Sequence, residues 1–141
     1  MPLLLAPGPV GLDNDSMIVT QSRDGYPETS GRLLEAIQRR GLRVFARIDH
    51  AGAAREAGLA LPEEEVFVFG SPKAGTPLMQ DDPRIGIELP LRMLLWREGN
   101  STMLAHNDPR ELADGYSVAE HAETLDQMST LLRALASEAA G

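Results

Sequence analysis

The chain contains no cysteine, which removes disulfides, thiolate zinc sites and thiol nucleophiles together. That fits a reducing compartment. No stretch approaches the roughly 20 apolar residues of a membrane span, and no basic patch stands out against a net charge of -8. An acidic surface repels phosphate, so both nucleic acid and anionic membranes are excluded as expected partners. The opening eight residues are apolar, but they lack a basic n-region and are broken by Pro2 and Pro7, unlike a secretory signal. Residues 1–15 are therefore expected to be a tail, followed by a single domain over 16–141, in a cytoplasmic protein.

What is present is ordinary globular composition: 43% hydrophobic and 24% charged in 141 residues, enough chain to bury one core without metals or cross-links. Met17 to Thr20 reads as a strand. Pro27 suits the first turn of a helix whose buried stripe is Leu33, Leu34 and Ile37, and Gly41 stops it after Arg39 and Arg40. Val44, Ala46 and Ile48 then alternate with Phe45 and Arg47 as in a strand. The resulting β-α-β opening predicts two parallel strands.

Asp49 caps a short Ala-rich helix ended by Gly58. Val66-Phe67-Val68-Phe69 is a strand with apolar side chains on both faces, so each face needs a cover. Leu91 to Arg97 and Thr102 to His106 form a hairpin around Glu98-Gly99-Asn100. Ser117-Val118-Ala119-Glu120 has the form of a capping box, and Val118, Ala122, Leu125, Met128, Leu132 and Leu135 share one helical face. Together these elements predict an α+β fold, β-α-β4-α, with a mainly antiparallel sheet and helices on one face. A Pro/Gly-rich insertion runs from Ser71 to Pro90, and either it or a second subunit is expected to cover the other face.

The residues Ile48-Asp49-His50, Phe69-Gly70-Ser71-Pro72-Lys73-Ala74-Gly75-Thr76-Pro77-Leu78-Met79, Glu88-Leu89-Pro90-Leu91-Arg92 and Asn107-Asp108-Pro109, with Leu112-Ala113 after them, resemble a family catalogued as domain of unknown function 302. The resemblance runs from about Thr20 to the last helix. It implies a fold similar to one half of the TATA-box-binding protein, seen in this family as a single copy that pairs as a homodimer. It implies no reaction. His106 stands where relatives often carry an aromatic residue.

Gly70 and Gly75 bracket four residues as in a phosphate-binding loop, but Thr76 occupies the position of the required lysine. Nucleotide hydrolysis is therefore not expected. A weaker anion site remains, with Gly75 freeing backbone N–H groups, Thr76 capping a helix near Pro77 and Lys73 supplying charge; the alternative is that these residues only shape a turn. In an antiparallel meander, Ser71, Lys73, Gly75, Thr76, Arg92, His106, Asn107 and Asp108 all gather at one end of the sheet, while His50 lies at the other. This set is the candidate ligand site, for a small anion or carboxylate bound by a homodimer.

Two alternatives are a small enzyme using His106 as acid/base, with Ser71 and Asp108 nearby, and a purely structural association module. Asp49 and Asp108 have plain readings as a helix cap and a turn residue, and His121 as a packed, hydrogen-bonded histidine. No cofactor or metal site is expected.

Overall fold

In the computed structural model, residues 17–141 are described; the tail expected over 1–15 lies outside them. Gly99, at φ 60°, opens the two-residue turn with Asn100 between β4 (Leu91–Glu98) and β5 (Ser101–Asn107). A left-handed residue at the first central position matches the right-handed twist of the strands it joins. β3 (Glu64–Gly70) pairs antiparallel with β4, and β2 (Arg43–Asp49) with β3. β1 (Met17–Gln21) adds antiparallel to β5, giving the order β1-β5-β4-β3-β2.

β1 and β2 run the same way, as the sequence predicts, but they lie at opposite margins with three strands between them. The helix joining them, α1 (Tyr26–Arg39), connects the two marginal strands, and later strands fill the gap between them. Period-of-two patterning carries no information about which strands become neighbours.

α1 packs beside α4 (Ala122–Ala140), where Arg39 and Arg40 both pair with Glu138. Leu33 and Ile37 of α1 and Leu132, Leu135 and Ala139 of α4 meet Phe67, Phe69, Met93, Leu95 and Leu104 in one core. Each of the strand residues alternates with a residue on the opposite face. Burying a phenylalanine here is worth several kcal/mol; truncating Phe67 or Phe69 to alanine is expected to cost about 3–5 kcal/mol.

The Ser71–Pro90 insertion contains α3 (Pro72–Asp81) and a 3-10 turn (Pro83–Ile87). Its Leu78 and Ile85 join Val118, Leu125 and Met128 in a second core, with Leu91 packed against both clusters. The insertion therefore extends the helical layer and does not cover the far face of the sheet. That face keeps Val19 at 51% and Ile48 at 46% exposure, beside half-buried Val66, Val68, Leu94 and Trp96.

α2 (His50–Glu56) follows the expected cap, with the Gly52 N–H donating to Asp49 at 2.8 Å, and Gly58 ends it at φ 78°. The capping box does not form. Ala119–His121 is a 3-10 turn and α4 begins at Ala122, because the Ser117 N–H donates instead to Asp82 at 2.9 Å. His121 sits at the N-terminus of α4 rather than in its apolar stripe, 2.6 Å from the Asp81 carboxylate.

Candidate functional site

β3 ends at Gly70, β4 starts at Leu91 and β5 ends at Asn107, and the register Phe69↔Leu91 puts the first two side by side. One end of the sheet thus collects the segments expected there. The side chains, however, divide among three surroundings.

Ser71, Gly75 and Thr76 line a cavity of about 470 Å3. α3 forms one wall, with Ala74 and Gly75 presenting little side chain. Leu89, Pro90 and Leu91 form the floor where the chain enters β4, and Thr124, Gln127, Met128 and Leu131 of α4 form the far wall. Leu42 and Phe45 close it from the β2 margin. The glycines leave room at these walls: a methyl on Gly70 would make an ordinary contact 3.6 Å from Pro90 Cβ, and one on Gly75 an ordinary contact 3.6 Å from Leu89 Cδ1. The Leu89-Pro90 peptide is cis.

Among the described residues, none that lines the cavity is ionisable. The polar groups available to a ligand are the hydroxyls of Ser71, Thr76 and Thr124 and the amide of Gln127. Lys73 is exposed and does not line the cavity. Gly75 does not direct a free N–H inward either, since that N–H donates to the Ser71 carbonyl at 3.0 Å as part of α3. The helix starts at Pro72, not near Pro77, so Thr76 is a mid-helix residue and caps nothing. Proline at the first turn is tolerated, and Pro77 inside the helix hides its periodicity from sequence reading.

Arg92, Asn107 and Asp108 line a separate crevice of about 70 Å3 with Glu88 and Leu112. Arg92 lies 4.0 Å from Glu88. Asp108 caps the 3-10 turn Pro109–Asp114 through the Arg110 N–H at 3.0 Å and binds the Arg110 guanidinium at 2.7 Å. The Arg110 side chain holds the Asp108 carboxyl at about 2, below its ordinary value. The turn-forming role of this aspartate thus has an electrostatic partner.

His106 faces the helical layer, opposite Ile18 of β1, and is only 4% exposed. Its Nδ1 is 3.1 Å from the Asn107 carbonyl, so Nδ1 carries the proton, and the buried Nε2 has no hydrogen-bond partner. Burial is the main cause that lowers its pKa, with Arg133 adding to the effect against the Asn107 carbonyl and Asp108. His106 lines neither the apolar cavity nor the crevice, so it is not assembled with Ser71 and Asp108 into a nucleophilic triad. His50 is exposed at the opposite end of the sheet.

Sequence reading missed Leu42, Phe45, Thr124, Gln127 and Leu131. The signal for three of them was hidden: helical spacing marks Leu125 and Leu132 as core-facing, and the cavity is lined by the flank of that stripe. Among the described residues there is no group of His, Asp and Glu suited to a metal, and no helix is long and apolar enough to cross a membrane.

A crystal structure of an uncharacterized conserved protein from Bacillus stearothermophilus is similar in fold, with a TM-score of 0.79 at 17% identity over 89% of this chain and 98% of that one. Among curated proteins, the chain is 44% identical over 106 residues to the fluoride-specific ion channel FluC 1 of Brucella suis biovar 1 (strain 1330), covering 74% of this chain and 42% of that protein. It is equally similar, at 44%, to FluC 1 of Brucella abortus biovar 1 (strain 9-941), covering 74% of this chain and 39% of that relative. The chain thus spans only about two fifths of the curated relatives it matches. The family model described as "Domain of unknown function DUF302" matches residues 18–135, spanning β1 through most of α4 and taking in every wall of the cavity, and the chain belongs to that family.

Proposed function

We propose that this protein is a small-molecule-binding domain whose ligand is neutral and mostly apolar, held in the cavity between α3, α4 and the β2 margin. The observation that carries this reading is a cavity of about 470 Å3 with no ionisable side chain among the described residues that line it. Its volume falls within the range of roughly 300–1,000 Å3 usual for small-ligand sites. An anion there would lose its hydration without gaining a counter-charge, which is costly. A neutral group can use the Ser71, Thr76 and Thr124 hydroxyls and the Gln127 amide. The lining therefore favours a neutral ligand over the anion that Lys73 and Arg92 bring to mind.

The test is titration of the purified chain with the neutral fluorophore N-phenylnaphthylamine, displaced by decanol or by decanoate. Saturable binding, lost in Thr124→Trp and competed better by the alcohol, is the expected result. Failure to bind either compound overturns the reading, and stronger competition by decanoate restores the anionic one.

The same protein is proposed to act as a homodimer through the uncovered face of the sheet. That face is apolar across its width, from Val19 on β1 through Leu94 and Trp96 on β4 to Ile48 on β2. Arg92 lies at one end of β4, and Glu98 with Glu64 of β3 at the other. Two copies stacked face to face about a two-fold axis, strands opposed, bring the basic end of one over the acidic end of the other. Light scattering of the wild type and Trp96→Glu checks this: the expected result is a dimer that dissociates in the variant, and a monomeric wild type overturns it.

A second reading rests on the 44% identity to proteins named fluoride-specific ion channels. In it, the domain works as an extramembrane companion of a fluoride channel. Deleting its gene is expected to sensitise the host to fluoride, and unchanged sensitivity overturns this reading.

A further inference from the structure

Phe45 is the residue at which β2 departs from regular pairing. Val44 pairs with Phe69 and Ala46 with the very next residue of β3, Val68, so Phe45 is the extra residue of a β-bulge. A bulge releases one residue from the strict alternation of the strand and re-aims its side chain. Here it turns an aromatic ring into the lining of the cavity.

Three observations single this ring out. Among the described residues it is the one aromatic in the lining. Of the described lining residues it is also the one large apolar side chain that is exposed, at 43%, which marks the mouth; the exposed lining residues Pro72, Thr76 and Gln127 share that rim. Its other support is the Arg43 guanidinium, 5.0 Å from the ring centre. Both residues belong to a strand at the sheet margin, held by β3 alone, so the ring can rotate without displacing a neighbouring strand.

We infer that Phe45 is the gating and selectivity residue of the cavity, its ring closing over a bound apolar ligand and limiting ligand size at the mouth. This inference rests on the binding reading above. In the closed position, the face of the ring now in water is buried against the ligand, so the gate is coupled to occupancy by the hydrophobic effect. The stack with Arg43 keeps the ring near the mouth when the cavity is empty.

The test is stopped-flow binding of N-phenylnaphthylamine to wild type, Phe45→Ala and Phe45→Leu, with melting temperatures measured alongside. Phe45→Ala is expected to release the probe about tenfold faster with a smaller change in association rate. It should also admit bulkier naphthyl derivatives that the wild type rejects. Phe45→Leu should restore part of the retention, and all three proteins should melt at similar temperatures, separating gating from a structural role. Equal release rates and equal size limits in wild type and Phe45→Ala, with Thr124→Trp still blocking, overturn the gate while leaving the cavity reading intact. Absence of probe binding in the wild type defeats the cavity reading itself.

Discussion

The Asp82 carboxylate accepts the Ser117 backbone N–H at 2.9 Å, joining residues 35 apart in sequence and tying the end of α3 to the strand of chain that leads into α4. Arg84 binds the same carboxylate at 2.8 Å, and the adjacent Asp81 meets His121. Both walls of the cavity are therefore clasped at one end by neighbouring aspartates.

Asp82→Ala is expected to lower the melting temperature by several degrees and to weaken probe binding together, since the walls lose their common anchor. Hydrogen bonds from the Arg84 side chain, then from Ser117, hold the Asp82 carboxyl well below its ordinary value. Because the folded value is depressed, the stabilisation is present above about pH 4 and disappears as pH falls through the carboxylate range. Thermal melts of wild type and variant at neutral and acidic pH check this: their difference should shrink in acid.

His106 sets a second pH dependence at higher pH. Its folded value lies below the ordinary 6.5 because burial disfavours the imidazolium. The unfolded chain consequently binds the proton more readily, and stability falls as pH drops below about 6.5 toward the folded value. Urea unfolding of wild type and His106→Leu at pH 7.5 and pH 5 should show the wild type losing more stability between the two conditions than the variant. Parallel losses would contradict the assignment.

Glu65 is the acceptor of a polar cluster on the helix-facing side of the sheet. It takes both Arg47 Nε and Nη2 at 3.1 Å, the Tyr26 hydroxyl at 3.1 Å and the Ser30 hydroxyl at 3.3 Å, while Arg47 also lies over the Phe67 ring at 4.5 Å. Glu65→Ala should destabilise by about 2–3 kcal/mol, since it leaves several donors without an acceptor. Burial, and then Glu65, raise the Tyr26 phenol well above its ordinary value of 10.0. An ultraviolet alkaline titration should accordingly show Tyr26 ionising at lower pH in the variant.

Gly75 and Gly31 lie inside helices at negative φ. A methyl on Gly31 meets nothing within 4 Å, and one on Gly75 makes an ordinary 3.6 Å contact with Leu89. Alanine at either position is expected to stabilise by about 0.5–1 kcal/mol, as in other unstrained helical glycines. Chemical denaturation of the two variants measures it; destabilisation by Gly75→Ala would return this glycine to the turn role that its sequence setting invites.

The element order was legible in the sequence because it depends on local rules: period-of-two runs at Val66–Phe69, the Gly99-Asn100 turn, the Asp49 cap and the apolar face of α4. The shared end of β3, β4 and β5 followed from chain reversal at each turn. α3 was obscured because Gly75 and Pro77 mimic a loop, and the capping box at Ser117 lost its donor to Asp82, a competitor 35 residues away.

By itself, the sequence determined the α+β class, the family and which segments meet at one end of the sheet, since periodicity, turn chemistry and motif spacing act over short distances along the chain. Only the tertiary structure decided that β1 and β2 sit at opposite margins, that Lys73, Arg92 and His106 look into different surroundings, and that the space between α3 and α4 is apolar. Side-chain direction depends on how helices and bulges are rotated against the sheet, and that rotation is set by packing among residues far apart in sequence.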